Sequence, residues 1–199
     1  GEEYLISLIG VLPSRYGRLM AFSDPDVRER LRGGVNKAAV VIFYVPSYED
    51  AEILFVVRSI REDDRWSGQV AFPGGMWKPI DRDLYDTAVR ELMEEVSIEL
   101  EKYANKISVL RIFNPSNMPE LKVTPILVQA SSKPAIRLSE ELSAYFWASL
   151  KNLEKTEVEI ELQDKIKKKV LAFRSDKWVI WGMTARILEE AIPIISRNL

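Results

Sequence analysis

The stretch GQVAFPGGMWKPIDRDLYDTAVRELMEEV, residues 68–96, decides how the chain is read. Gly68 to Phe72 reads as a short apolar strand, closed by Pro73-Gly74-Gly75. After a loop, the pattern changes to a helical period from about Asp83 to Val96. Asp83 is a plausible N-cap, with Asp86 three residues later in a capping-box-like position. Leu84, Ala88, Leu92 and Val96 recur at i, i+4 and give the helix a buried face. At about 100° per residue, Glu91, Glu94 and Glu95 fall within one arc of roughly 100° beside that face. Three carboxylates so placed repel one another, and Arg90, four residues before Glu94, offsets only part of the repulsion. A divalent cation would remove it. Taken alone, the cluster reads more readily as a solvated acidic face, as the Glu157-Val158-Glu159-Ile160-Glu161 run does elsewhere in the chain. A Gly-Gly turn followed by an acidic helix is more specific than either part. Gly74 and Gly75 permit unusual backbone angles and the close approach of a ligand.

Upstream, Ala38 to Val45 is a continuous apolar run expected to form a buried strand. Glu52 to Arg58 follows a Pro46 turn as a second strand, antiparallel to the first, and Glu62 to Arg65 is a polar loop. Residues 3–33 read as helical, with an interruption at Pro13 and a second piece from Asp24 to Leu31 that opens on Asp-Pro-Asp. Downstream, Ile107 to Phe113 and Val123 to Gln129 read as strands. Val158 to Leu162 and Val170 to Phe173 suggest a hairpin across a Lys-rich turn, and Trp178 to Ile194 reads as a closing helix. The expected organisation is one mixed α/β domain over residues 1–199, with residues 1–33 as an N-terminal helical extension.

Composition narrows the chemistry. The chain of 199 residues has no cysteine and no histidine. That excludes disulfides, thiolate zinc sites, cysteine nucleophiles, Ser-His-Asp triads and imidazole ligands. What remains is carboxylates, Lys, Arg, hydroxyls, backbone amides or a metal, and carboxylates select hard ions such as Mg²⁺ or Mn²⁺. The formal net charge of −2 gives no basic excess, so no nucleic-acid partner is expected. No apolar run approaches the ~20 residues of a membrane span, and no basic, apolar leader is visible, so a cytoplasmic protein with no membrane partner is expected.

The order Gly75, a spaced acidic residue, then Arg90-Glu91-Leu92-X-Glu94-Glu95 with Ile98 beyond it resembles the box of the Nudix hydrolase family. The spacing from Gly75 to Arg90 is one residue longer than in the common box. That resembles the coenzyme A pyrophosphatase branch, with its Gly-Gly-X-X-Asp-X-X-Asp start. Asp81 matches the second Asp, and Lys78 replaces the first. Arg58-Ser59, Gly68 to Gly75, Val123-Thr124-Pro125 and Ile180 to Leu188 are similar to further segments of that branch, so the likeness covers roughly residues 37–192. Ser97 stands where the box has Gly, which implies that the turn there is made differently. Trp66 stands before Gly68, where the branch carries His.

The resemblance implies an α/β/α sandwich with a mixed sheet and a catalytic helix after the Gly-Gly loop. It implies hydrolysis of a diphosphate bond in a nucleotide-derived small molecule. Coenzyme A is one substrate it suggests; ADP-ribose, dinucleoside polyphosphates and nucleoside triphosphates are alternatives. A non-catalytic nucleotide sensor is a third reading, although such domains usually lose a box glutamate. Glu91, Glu94, Glu95 and the Gly75 carbonyl are the implied metal ligands, for Mg²⁺ or Mn²⁺. Arg90 would orient the glutamates. Glu91 or Glu141, with Glu140 as fallback, would take the proton from water. Arg58, Gly74 and Trp66 are the candidate substrate contacts; Trp77 is a stacking candidate whose plainer role is packing. Homodimers occur among such relatives.

Overall fold

The computed structural model of the chain describes residues 7–10, 24–62 and 68–199. A long mixed sheet is flanked by one helix on each face, with a small antiparallel sheet beside it. The elements that position the site start with β2 (Lys37–Ser47) and β3 (Asp50–Arg58). They form an antiparallel hairpin in which Tyr44 faces Ile53. Along β2, Ala39, Val41 and Phe43 pack into one core, and Ile42 and Tyr44 pack into the other. Both faces are therefore covered, which is why the strand reads as an unbroken apolar run.

On its other edge β2 runs parallel to β7 (Lys122–Ala130), with Ala38 beside Val123. β7 pairs antiparallel with β6 (Ala104–Val109), and β6 with β1 (Ser7–Gly10). Ser7–Gly10 corrects the helical reading of that stretch. Its apolar residues fit either period, and β6 offers the segment a row of main-chain partners. The rest of the expected helix before Asp24, and the loop containing Trp66, lie outside the described residues. The second helical piece is present as α1 (Pro25–Arg30), whose Asp24 N-cap accepts from the Asp26 N–H at 2.9 Å.

The edge of β2 that faces β3 is shared. Tyr44 to Ser47 pair with β3, whereas Ala38 to Val40 pair with β5 (Gly74–Met76). β4 (Val70–Ala71) and β8 (Leu142–Ser149) pair with β3. The helix α2 (Leu84–Val96) lies on one face, where Leu84, Ala88, Leu92 and Val96 are buried against β2 and β7. A short helix, α3 (Leu100–Tyr103), leads from it to β6.

The second sheet is β9 (Glu154–Glu161), β10 (Lys167–Ser175) and β11 (Trp178–Trp181), in the order β11-β10-β9. β11 corrects the start of the expected closing helix. Trp178-Val179-Ile180-Trp181 pairs with β10 across a tight turn at Asp176 (φ 49). Only after Gly182 (φ 73) does α4 (Met183–Arg197) begin. Four aromatic rings run from the main sheet to the small one: Phe72 on Phe55, Phe55 on Phe146 and Phe146 on Trp178, with centroids 5.0, 5.4 and 5.2 Å apart. Each such contact contributes about 0.5 to 1.5 kcal/mol beyond area burial. Among the described residues no helix is long and apolar enough to cross a membrane.

Candidate active site

The acidic arc of α2 meets the Gly-Gly turn of β5, and burial is graded around the helix. Leu92 and Val96 are 0% exposed, Glu95 5% and Glu91 9%, while Glu94 is open to solvent. One arc in the sequence thus holds three different environments. The angular order explains it: Glu95 lies nearest the apolar face, Glu91 next and Glu94 farthest.

The two glycines make this approach possible. A Cβ on Gly75 would lie 2.4 Å from the Glu91 carboxylate carbon, and one on Gly74 would lie 2.2 Å from the Ala39 carbonyl oxygen. Neither glycine has positive φ, so their role is close packing and not a left-handed turn. Gly74 donates its N–H to Glu95 Oε1 at 3.3 Å. Burial pushes the Glu95 carboxyl up to about 8, and the neighbouring Glu91 adds to the rise. Burial also raises Glu91, against the hydrogen bond it accepts from Arg90.

Arg90 is the hub. Its Nη1 donates to Glu91 at 2.9 Å and to Glu94 at 3.3 Å. Its other face is a fork on Asp81, with Nε to Oδ1 at 2.9 Å and Nη2 to Oδ2 at 2.8 Å. Nη2 also donates to the Met76 carbonyl at 3.0 Å. Asp81 is 5% exposed and accepts in addition from the Lys78 N–H and the Thr87 hydroxyl. The Arg90 hydrogen bonds hold the Asp81 carboxyl below the usual carboxylate range, and Asp81 in turn raises Arg90. The sequence reading placed Asp81 in the motif and gave it no role; its spacing from Arg90 was the available signal. A bidentate fork between two partly desolvated ions is a stiff geometric restraint. Lys78, the substituted residue, brings a cation that lowers Glu91.

Ser97 ends α2 in the left-handed conformation (φ 59, ψ 36); its N–H donates to the Met93 carbonyl at 3.0 Å and the Ile98 N–H to the Leu92 carbonyl at 3.3 Å. The turn expected to differ for want of glycine is made with the backbone glycine would adopt. The Ser97 hydroxyl donates to the Arg137 carbonyl at 3.1 Å. From there the chain runs on to the loop at 139–141, which docks on the helix and on β3. The Ser139 N–H donates to the Glu95 carbonyl at 2.9 Å, and Ser59 N–H donates to the Glu141 carbonyl at 2.9 Å. Glu141 is exposed, and its charge raises Glu95. Arg58 lies at the end of β3, where pairing with β8 slips by a residue, and its cation lowers Glu95. The structure therefore brings Arg58, Gly74, Gly75, Arg90, Glu91, Glu94, Glu95 and Glu141 to one end of the sheet. Trp66 lies outside the described residues. Trp77 serves in packing: its ring lies against Gly33, and Nε1 donates to the Asp81 carbonyl at 3.0 Å.

The donor set tests whether a cation suits this place. Among the described residues no three acidic side chains already converge as a closed cage, because Arg90 draws Glu91 and Glu94 to itself. The donors are all oxygen, and two of them are buried carboxylates whose ionisation is opposed by burial and by a neighbouring glutamate, Glu94 for Glu91 and Glu91 for Glu95. Small hard divalent ions take few protein carboxylates and keep several waters, which this open, oxygen-only set fits.

Comparison with known proteins follows the same line. The family model described as the NUDIX domain matches residues 35–171. An uncharacterised fission yeast protein, C14C4.10c of Schizosaccharomyces pombe, is 34% identical over 56% of this chain, which spans 36% of that protein's length. Human mitochondrial coenzyme A diphosphatase NUDT8 is 27% identical over 84% of this chain and 72% of its own. The crystal structure of a MutT/nudix family protein from Enterococcus faecalis aligns with a TM-score of 0.51 at 15% identity, covering 76% of this chain and 58% of that one.

Proposed function

As the chain belongs to the Nudix family of pyrophosphohydrolases, we propose that it hydrolyses the diphosphate bond of a nucleotide-derived small molecule with Mg²⁺ or Mn²⁺. The observation that carries this reading is the pair of buried carboxylates, Glu91 and Glu95, held against the Gly74-Gly75 turn. Glu91, Glu94 and Glu95, with the Gly75 carbonyl, hold the cation. A cation held there would supply charge neutralisation for the diphosphate and a lowered pKa for water. The chain's own groups do the rest, since phosphoryl transfer depends mainly on positioning and charge. Arg90 aims Glu91 and Glu94, and Asp81 fixes Arg90. Arg58 contacts a phosphate. Glu141, on the docked loop, or Glu91 takes the proton from the attacking water.

The substrate we favour is coenzyme A or a derivative. The similarity to NUDT8 over 84% of the chain supports it, as do the Arg58-Ser59 and Gly68 to Gly75 segments. Other nucleoside diphosphate esters, such as ADP-ribose, would use the same groups. The retention of all three box glutamates speaks against a sensor without turnover. The test is product analysis by mass. The protein is incubated with coenzyme A, acyl derivatives, ADP-ribose, dinucleoside polyphosphates and nucleoside triphosphates, with and without Mg²⁺ or Mn²⁺. Cleavage of coenzyme A at its diphosphate is expected. Metal-dependent cleavage of another substrate alone would move the specificity. Tight metal binding with no turnover would overturn the enzyme reading in favour of a sensor.

A further inference from the structure

On the far side of β2 from the acidic helix, two arginines face each other across the start of the 113–121 loop. Arg111 lies flat over the Phe113 ring, 3.8 Å from its centroid, and pairs with Glu190 at 2.6 Å. Arg186, in the first turns of α4, is half-buried. Among the described residues its guanidinium has one partner, the Asn114 carbonyl at 2.7 Å, and no carboxylate. A guanidinium carries five donors in a planar fork. Among the described residues the rest of this fork has no protein partner and is open to a ligand. Burial, and then the neighbouring Arg111 cation, hold Arg186 below the usual arginine range. Two cations with one carboxylate between them, one of them backed by an aromatic face, form an excess of positive charge at a fixed place. Nothing in the chemistry described so far uses it.

We propose that Arg111 and Arg186 form a binding site for a phosphate-type dianion, separate from the diphosphate centre. Its position relates it to that centre. Phe113 bridges Val123, Val123 lies beside Ala38, and Ala38 pairs with Met76, the residue after Gly75. At about 4.8 Å per strand, three spacings separate the Phe113 backbone from that of Met76 by about 14 Å. The pair lies on the opposite face of the sheet from the acidic helix, so the dianion's source is either a second phosphate on a substrate that reaches around the sheet's end or a separate free phosphate. The substrate source rests on the diphosphate reading above; the anion site does not.

Two measurements separate these. In the first, thermal unfolding of the full chain in EDTA is followed against inorganic phosphate, with chloride at matched ionic strength as reference. Phosphate should stabilise the wild-type protein, and Arg186→Gln should weaken the apparent affinity about tenfold, the size of one lost charge-assisted fork. Glutamine retains a donor for the Asn114 carbonyl, and Arg111→Lys, which keeps the charge and loses the fork, is the second variant should the first unfold. Equal stabilisation of wild type and both variants overturns the site. In the second, KM is compared for an adenosine diphosphate ester with and without an additional ribose phosphate. A KM ratio favouring the phosphorylated ester, collapsing toward one in Arg186→Gln with the loss on KM and not kcat, assigns the site to the substrate. A phosphate effect with no such ratio assigns it to a free anion. If neither ester is cleaved, the diphosphate reading fails while the first measurement still decides the site.

Discussion

Glutamates crowd together twice in this chain, on α2 and on β9, and the two crowds behave in opposite ways. On β9, Glu157, Glu159 and Glu161 project into solvent. Strand pairing sets Lys169 opposite Glu159 and Lys167 opposite Glu161, so two of the three acids face a base, and Glu157 lies opposite Leu171. On α2, Glu91 and Glu95 are buried; Glu91 shares a single arginine with Glu94, and Glu95 is held by the Gly74 N–H. Similar residue types at similar density give a solvated hairpin in one place and a strained cluster in the other. The difference lies in burial and in what faces the acids. An unrelieved cluster of buried charge marks a site, because stability alone gives no reason to keep it.

The largest expected contrast is in activity. Glu95→Gln should lower kcat/KM about a thousandfold or more, since a lost ligand forfeits several kcal/mol of charge stabilisation at ~1.4 kcal/mol per decade. Glu94→Gln should do nearly as much. Glu157→Gln on the hairpin should leave kcat/KM within about twofold. Steady-state kinetics with a cleaved substrate decide it; comparable losses at both places would erase the distinction. Asp81→Asn comes next. It removes the charge of the fork that fixes Arg90, so a loss of about 10- to 100-fold in kcat/KM is expected, as for other groups that orient metal ligands. Rescue by Asp81→Glu would separate a positioning role from simple packing.

Stability should move the other way for Glu95. Its carboxyl is raised from 4.5 to about 8 in the folded chain. The folded state therefore favours the protonated form, and the stability this contributes is present below pH 4.5 and lost as pH rises toward 8. In EDTA, Glu95→Gln should raise the unfolding free energy little at pH 5 and clearly at pH 8, by on the order of 2 to 4 kcal/mol, with Tm rising in step. A Tm gain for Glu95→Gln that does not grow with pH would mean that burial does not oppose its charge. Added Mg²⁺ should narrow the gap by stabilising the wild type alone.

How much of this was legible follows from what fixes each feature. The Gly74-Gly75 turn, the helix from Asp83 and the glutamate arc could be read because each depends on local period and capping. The β2 and β3 hairpin was legible for the same reason. Ser7–Gly10 and Trp178–Trp181 were not, because their strand character comes from neighbours distant in sequence, β6 and β10. The grading of Glu95, Glu91 and Glu94 was legible in outline, from the distance of each to the apolar face. The fork between Asp81 and Arg90 was not, since the loop's path, not its composition, brings Asp81 back. Ser97 was read as a change of turn, yet its backbone is left-handed at φ 59. A non-glycine residue there costs about 1 to 2 kcal/mol. Ser97→Gly should thus stabilise the chain by about 1 kcal/mol, less the hydroxyl bond to Arg137, and thermal or urea unfolding would show it. A fall in stability would mean that the hydroxyl outweighs the backbone.

The smallest effect belongs to the hairpin. Lys167 and Glu159 lie 3.7 Å apart with both side chains more than half exposed, at 68% and 52%. Water screens such a pair, and holding two long side chains in place costs entropy, so a double-mutant cycle with Lys167→Gln and Glu159→Gln should give a coupling of about 0.5 kcal/mol or less. That value should shrink further in high salt. A coupling well above 1 kcal/mol would mean that the hairpin acids are held as firmly as those of α2. Burial would then not be what separates the two glutamate clusters. A small one leaves burial, together with what faces the acids, as what separates the two regions, because acid type and charge density are comparable in both.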